Sequence, residues 1–332
     1  MTETHKFELA EFEAARKRIA GTIRATPVNR SDSLSDLAGI PIHLKLECHQ
    51  VTGSFKLRGA TNAVANLSQV EREAGVVGVS TGNHGRALAH AAKEAGVRSI
   101  ICMSALVPKV KVDAIRALGA EVRIVGKSQD EAQHEVNKLV GEGMTMLPPF
   151  DHADIITGQG TLALDILDQV PAAETIVVPV SGGGLISGVA AAAKASRPEI
   201  RIVGISMERG AAMAASLAAG YPVEVEELPT LADSLGGGLG TDNRFTFPMT
   251  RELVDEVITL NEAEIAAGIR HAYWQERQII EGAAAVGIAA IIAGKLKLSG
   301  PTVLILSGGN IDMQQHFRIV GGEDIDLMAE DA

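Results

Sequence analysis

Four short stretches of this chain carry residue types suited to chemistry more than to packing. The first reads Thr52-Gly53-Ser54-Phe55-Lys56-Leu57-Arg58-Gly59-Ala60. Gly53 and Ser54 could cap a helix, which puts Lys56 near its first turn, facing inward. A partly desolvated ammonium loses its preference for the charged form. The neutral amine is then both a base and a nucleophile toward carbonyl carbon. Taken alone, such a lysine is more often a surface residue of an amphipathic helix. Its meaning depends on the other three stretches.

The second is Ser181-Gly182-Gly183-Gly184-Leu185, which follows the apolar run 175–180. With no Cβ in the way, successive backbone N–H groups can approach a phosphate, and a helix N-terminus adds a favourable field. Neither the GxGxxG of a dinucleotide site nor the GK[ST] of a P-loop is present, so the turn suits a single phosphate. A glycine turn that packs a helix on a strand reads the same way. The third stretch is Ser80-Thr81-Gly82-Asn83-His84-Gly85-Arg86. Its uncharged donors suit a carboxylate or a ring oxygen, or simply a βα loop with a helix cap. His84 reads there as a structural hydrogen-bonding residue more than an acid–base group. The fourth, Ser307-Gly308-Gly309-Asn310, closes the last apolar run. A hydroxyl at that point can hydrogen-bond a neutral ring nitrogen, where Asp or Arg would fix the ring's protonation state.

The last three stretches each follow a strand-like run. Residues 76–80, 99–103 and 121–125 read as strands alternating with helices over 87–95, 109–118 and 128–141. Residues 200–206 read as a strand, and 175–180 and 302–306 as strands of the nearly all-apolar, buried kind. Helical spacing covers 8–24, 158–170, 185–196, 262–276 and 282–295, and 42–47 alternates as a strand before the Lys56 loop. Residues 209–245 read as glycine-rich loop with one short helix. Strand, glycine turn, helix is the arrangement that presents loop groups at the carboxyl edge of a parallel sheet. Pro148-Pro149 suits a crossing between two subdomains.

A chain of 332 residues exceeds one ordinary core, so two domains are expected. Hydrophobic residues make up 46% and aromatics only 3%, with 35 glycines, which suits parallel α/β structure with tight turns. The formal net charge of −11 is a poor match for nucleic acid or an anionic membrane. Cys48 and Cys102 build neither a disulfide framework nor a CxxC metal pair. The polar start and the lack of a bilayer-length apolar run point to a soluble, cytoplasmic protein.

Taken together, the four stretches resemble the fold-type II pyridoxal-phosphate enzymes, in the family's motif order over residues 20–315. Within that group they are similar to the serine/threonine dehydratase and serine racemase branch. The resemblance implies an α/β fold of the tryptophan synthase β-like kind, with two parallel or mixed-sheet three-layer domains. The larger would comprise 1–74 and 149–332, the smaller 75–148. It implies pyridoxal 5'-phosphate as cofactor and Lys56, with Phe55 beside it, as the Schiff-base lysine. Asn83 would partner the cofactor's ring oxygen. Gly182, Gly183, Gly184 and Leu185 would hold its phosphate, and Ser307 would face its ring nitrogen. Ser80, Thr81, Asn83 and His84 would surround the carboxylate of a small amino-acid substrate. The implied reaction removes water from a 3-hydroxy amino acid, with Lys56 taking the α-proton, and ends in a 2-oxo acid and ammonia. A homodimer is the implied assembly.

Three positions depart from that branch. A racemase needs a second base, a serine where this chain has Thr81; the methyl-bearing hydroxyl ranks the dehydratase ahead of a serine- or aspartate-type racemase. Thr81 remains a catalytic candidate. Arg86 stands where relatives often carry glutamine. It is either an outward helix arginine with a salt-bridge partner or an aid to an acidic or large substrate. The branch's structural divalent cation, magnesium or calcium, would find Glu208 and the Ala212 carbonyl but Ala214 in place of an aspartate. A finer resemblance, to the hydroxyectoine-utilisation and β-hydroxyaspartate dehydratases, runs through 80–86, 208–213, 231–240 and 270–282. It puts Asp233, Ser234 and the following glycines beside the substrate side chain. Serine, threonine, 3-hydroxyaspartate and a hydroxyectoine-derived amino acid are the candidate substrates. Cysteine-synthase-like β-replacement and a non-catalytic metabolite-binding module are the other readings.

Overall fold

The computed structural model describes residues 7–80, 82–105, 107, 109–127, 129–325 and 327–330. Its strands are β1 (Val28–Ser31), β2 (Ile42–Lys45), β3 (Val76–Val79), β4 (Ser99–Met103), β5 (Glu121–Ile124), β6 (Thr145–Met146), β7 (Thr175–Pro179), β8 (Arg201–Met207), β9 (Glu256–Leu260) and β10 (Thr302–Ile305). They form a six-stranded sheet in the order β1-β2-β10-β7-β8-β9 and a four-stranded sheet in the order β5-β4-β3-β6. The β1–β2 pair is antiparallel and the other pairs are parallel. β7 and β10 are buried at every position, the outcome their nearly all-apolar runs predict for strands covered on both faces, and β4 is buried throughout as well. Helices Glu262–Trp274 and Gly282–Ile292 supply the core on one side of the large sheet; Leu9–Ile19, Ala153–Gln169 and Gly184–Ser196 supply it on the other. The small sheet packs against Lys56–Ala65, Asn83–Glu94 and Lys109–Ala117 on one face and Gln129–Gly141 on the other.

Each sheet's strand order reverses once. β7 runs on to β8 and β9 on one side, while its other neighbour is β10; β3 runs on to β4 and β5, while its other neighbour is β6. Loops leaving the carboxyl ends of such neighbours diverge and open a crevice, the usual ligand position in parallel α/β sheets. The molecule therefore has two such crevices.

The Lys56–Ala65 helix joins the two layers. Its Arg58 is fully buried and pairs with Glu47 (2.8 Å) and Asp165 (2.8 Å). Removing Arg58 would leave the Glu47 carboxylate buried without its cation.

Some element ends differ from expectation. Gly53 and Ser54 do not cap the Lys56 helix: Phe55 is the N-cap, without a side-chain bond, and the Ser54 hydroxyl is buried without a partner. The helix expected from residue 87 starts at Asn83, because Gly82 takes the N-cap position. The helix expected from 158 starts at Ala153, where the His152 ring accepts the Asp154 N–H. Thr246–Leu253 and β9 carry weak signals in the sequence, and β9 is a half-exposed edge strand. Among the described residues, no helix is long and apolar enough to cross a membrane.

Candidate active site

The loops at both crevices line one cavity of about 530 Å³. Lys56 enters it from the first position of its helix. The turn before Lys56 is stitched to the turn after β10: Phe55 N–H donates to the Ser307 carbonyl (3.0 Å) and Gly309 N–H to the Gly53 carbonyl (2.9 Å). Gly53 sits at φ 78°, where a Cβ would lie 2.6 Å from the Asn310 side chain. That stitching brings Lys56 and Ser307 into the cavity together. The Lys56 Nζ donates to the Pro149 carbonyl at 2.8 Å. Burial pulls its pKa down to about 8, opposed by the Glu281 charge. A neutral amine is thus accessible near physiological pH.

The glycine turn lies on the same cavity. Gly183, at φ 88°, is the N-cap of Gly184–Ser196 and has no side chain with which to cap it. The first N–H groups of that helix have no acceptor within it. A Cβ on Gly182 would lie 2.4 Å from the Phe150 ring, and one on Gly183 would lie 2.7 Å from Met213 Cε. Packing closes the turn to side chains and leaves backbone donors as its contribution to the cavity.

The third wall is the start of Asn83–Glu94. Ser80 Oγ accepts N–H groups from Gly82 (3.3 Å) and Gly85 (2.9 Å). Asn83 Nδ2 donates to Glu281 Oε1 (2.8 Å), and its Oδ1 accepts from Asn310 Nδ2 (2.5 Å). Glu281 Oε2 also accepts the Asn310 N–H (3.2 Å). Glu281 is 4% exposed; burial and the nearby Asp233 push its carboxyl up to about 7. His84 Nε2 lies 2.9 Å from the Leu147 carbonyl, which can only accept, so that nitrogen carries the proton. Burial, then Lys56, lowers the ring's pKa to about 4. His84 is the hydrogen-bonding residue that its setting predicts.

Arg86 also lines the cavity. Its Nε is buried without a hydrogen-bond partner, and it forms no ion pair among the described residues. Burial lowers its pKa, opposed by Glu281. The expectation of an outward arginine with a salt-bridge partner is therefore not met, because the helix turns this residue toward the cavity. Asp233 and Ser234 are exposed on the short turn Asp233–Leu235 at the cavity's edge. Phe55 and Leu185 line the cavity as well. Thr81 lies outside the described residues.

The two candidate metal ligands sit away from this cavity. The Glu208 carboxylate is 3.7 Å from the Lys295 ammonium, and Ala212 opens the helix Ala212–Ala219. Lys295 also bonds Glu264 (2.7 Å) and the Thr259 carbonyl (3.1 Å). Among the described residues, no group of three or more His, Cys, Asp or Glu is gathered for a metal. The sequence pattern missed Glu281, Pro149 and Phe150. For Glu281 a signal existed: an acid between Ile279-Ile280 and Gly282-Ala283-Ala284-Ala285 is out of place on an apolar stretch unless it is partnered.

A family model described as "Pyridoxal-phosphate dependent enzyme" matches residues 19–308. A protein of Sinorhizobium fredii named "Putative threonine dehydratase" is 56% identical over 324 residues, 97% of this chain and 98% of its own. The L-threonine ammonia-lyase of Thermotoga maritima is 40% identical over 314 residues, 94% of this chain and 78% of its own. Among solved structures, maize serine racemase superposes with a TM-score of 0.90 at 34% identity, covering 95% of this chain and 97% of that one.

Proposed function

This chain belongs to the pyridoxal-phosphate dependent enzymes, and on that premise we propose that it is a dehydratase, or ammonia-lyase, of 3-hydroxy amino acids. One observation carries the reading: Lys56, with a depressed pKa, shares a single cavity with a side-chain-free run of backbone donors at 182–184. The residues present fit the cofactor. Lys56 would bond its aldehyde. Gly182, Gly183, Gly184 and Leu185 would hold its phosphate by N–H groups at a helix N-terminus. Asn83 keeps a second amide hydrogen for the ring oxygen, since the first goes to Glu281. The Ser307 hydroxyl would meet the ring nitrogen, and Phe55 lies beside Lys56.

The bound cofactor supplies an electron sink for the pair left at the α-carbon. The chain's own residues do the rest. The neutral Lys56 amine takes the α-proton. Ser80 and the N–H groups at the start of Asn83–Glu94 seat the α-carboxylate, with His84 holding that helix start against Leu147. Loss of the 3-hydroxyl and hydrolysis give a 2-oxo acid and ammonia.

The finer reading is a substrate with an acidic side chain, of the 3-hydroxyaspartate class. Arg86 supports it, because a cavity-lining guanidinium without an ion-pair partner among the described residues is ready for a second carboxylate. The glycines after Asp233 and Ser234 leave room for that substituent. Steady-state kinetics on serine, threonine, 3-hydroxyaspartate and 3-phenylserine test it. Arg86→Gln is expected to lower kcat/KM for 3-hydroxyaspartate by about 100-fold, the worth of a strong charge-assisted pair, and that for threonine far less. A clear preference for serine would discard the acidic-substrate reading. The likeness to a serine racemase gives racemisation second place; chiral analysis of recovered substrate separates the two.

A further inference from the structure

Loss of water from a 3-hydroxy amino acid needs two proton carriers. One removes the α-proton. The other delivers a proton to the leaving oxygen, because hydroxide is a poor leaving group. Lys56 is the first. Among the chain's own described residues, the remaining titratable groups on the cavity are His84, Arg86, Glu227, Asp233 and Glu281. The proton on His84 Nε2 is committed to Leu147. Arg86 holds its proton too firmly to give it up. Glu227 and Asp233 are exposed. Glu281 alone among the five is a buried carboxyl.

We propose that Glu281 is the acid that protonates the departing 3-hydroxyl, an assignment that rests on the dehydratase reading. Its carboxyl is fixed between Asn83 Nδ2 and the Asn310 N–H, on the same cavity as Lys56. Gly308 makes room for it: a Cβ there would lie 2.6 Å from Glu281 Oε1. Burial and Asp233 hold the carboxyl at about 7, so a proton resides on it near neutrality and returns readily after use. In the step, Lys56 takes the α-hydrogen as a proton, and the electron pair of that bond forms the α–β double bond. The C3–O bond breaks with its pair on oxygen. That oxygen takes the Glu281 proton and leaves as water. Glu281 remains as carboxylate and is reprotonated from solvent.

Glu281→Gln in the cofactor-loaded enzyme tests the assignment. Two substrates are compared, threonine and 3-chloroalanine, whose chloride leaves without a proton. Exchange of the α-hydrogen in D2O and the visible absorbance of the bound cofactor are read alongside. The expected result is a fall of about 100-fold or more in water loss from threonine, the usual worth of a positioned acid. Turnover of 3-chloroalanine should fall by less than about tenfold, with α-hydrogen exchange and absorbance retained. An unimpaired threonine reaction overturns the assignment. So does an equal loss for both substrates together with loss of exchange, which marks a structural role. If the glutamine variant does not fold, Glu281→Asp must show the same split between the two substrates, and an equal loss overturns the assignment there too. Failure of the dehydratase reading is distinct: the wild-type enzyme would then exchange α-hydrogen but release no 2-oxo acid from any 3-hydroxy amino acid.

Discussion

His84 and Glu281 face the same cavity and are both driven toward neutrality by burial, in opposite directions on the pH scale. The pKa of His84 falls from 6.5 to about 4, so between those values the unfolded chain binds the extra proton. Its contribution to stability is present above 6.5 and is lost as pH falls through that window. The pKa of Glu281 rises from 4.5 to about 7, so there the folded chain binds the extra proton. Stability tied to Glu281 is therefore lost as pH rises from 4.5 to about 7. The windows overlap and the slopes oppose, so single variants are needed to separate them. Thermal melts of His84→Gln and Glu281→Gln from pH 4 to 7.5 are expected to tilt the melting profile in opposite senses relative to the wild type. Parallel profiles would contradict the charge states assigned to both residues. At this scale Lys56, the glycine turn, Asn83 and Ser307 were legible because their residue types name a chemistry. Glu281 was legible only as an acid out of place on an apolar stretch; its partners come from positions 83 and 310, and only the folded chain brings them together.

Among the elements, the helix Ala153–Gln169 crosses Gly184–Ser196 through glycine on both sides. A Cβ on Gly188 would lie 2.3 Å from the Ile156 carbonyl and 2.7 Å from the Gly160 nitrogen. These are backbone atoms and cannot swing aside. Gly188→Ala is expected to cost about 2–3 kcal/mol by overpacking, read as a lower midpoint in denaturant unfolding. It should also shift the glycine turn at the head of the same helix and weaken phosphate binding; unchanged stability would contradict the close crossing. The helices were legible from their apolar spacing. Their starting residues were less so, because Gly82 and His152 cap through backbone conformation and a ring nitrogen, signals that periodicity does not carry. β9 was not legible, since a half-exposed edge strand alternates weakly.

Across the whole molecule, two separate sheets aim the loops at their reversal points into one cavity. Among the described residues, strands between 76 and 146 form one sheet and the other strands the second. The parallel α/β class was legible from all-apolar runs and glycine turns. The strand order was not: nothing in the sequence says that β10, the last strand, lies between β2 and β7. Yet that insertion sets Ser307 beside Lys56, and with it the account of the cavity as a cofactor site. The direct test is borohydride reduction of the pyridoxal-phosphate-loaded protein, followed by peptide mass mapping. The account predicts one phosphopyridoxyl label, on Lys56. A label on another lysine, such as the buried Lys45, or none at all, would contradict it.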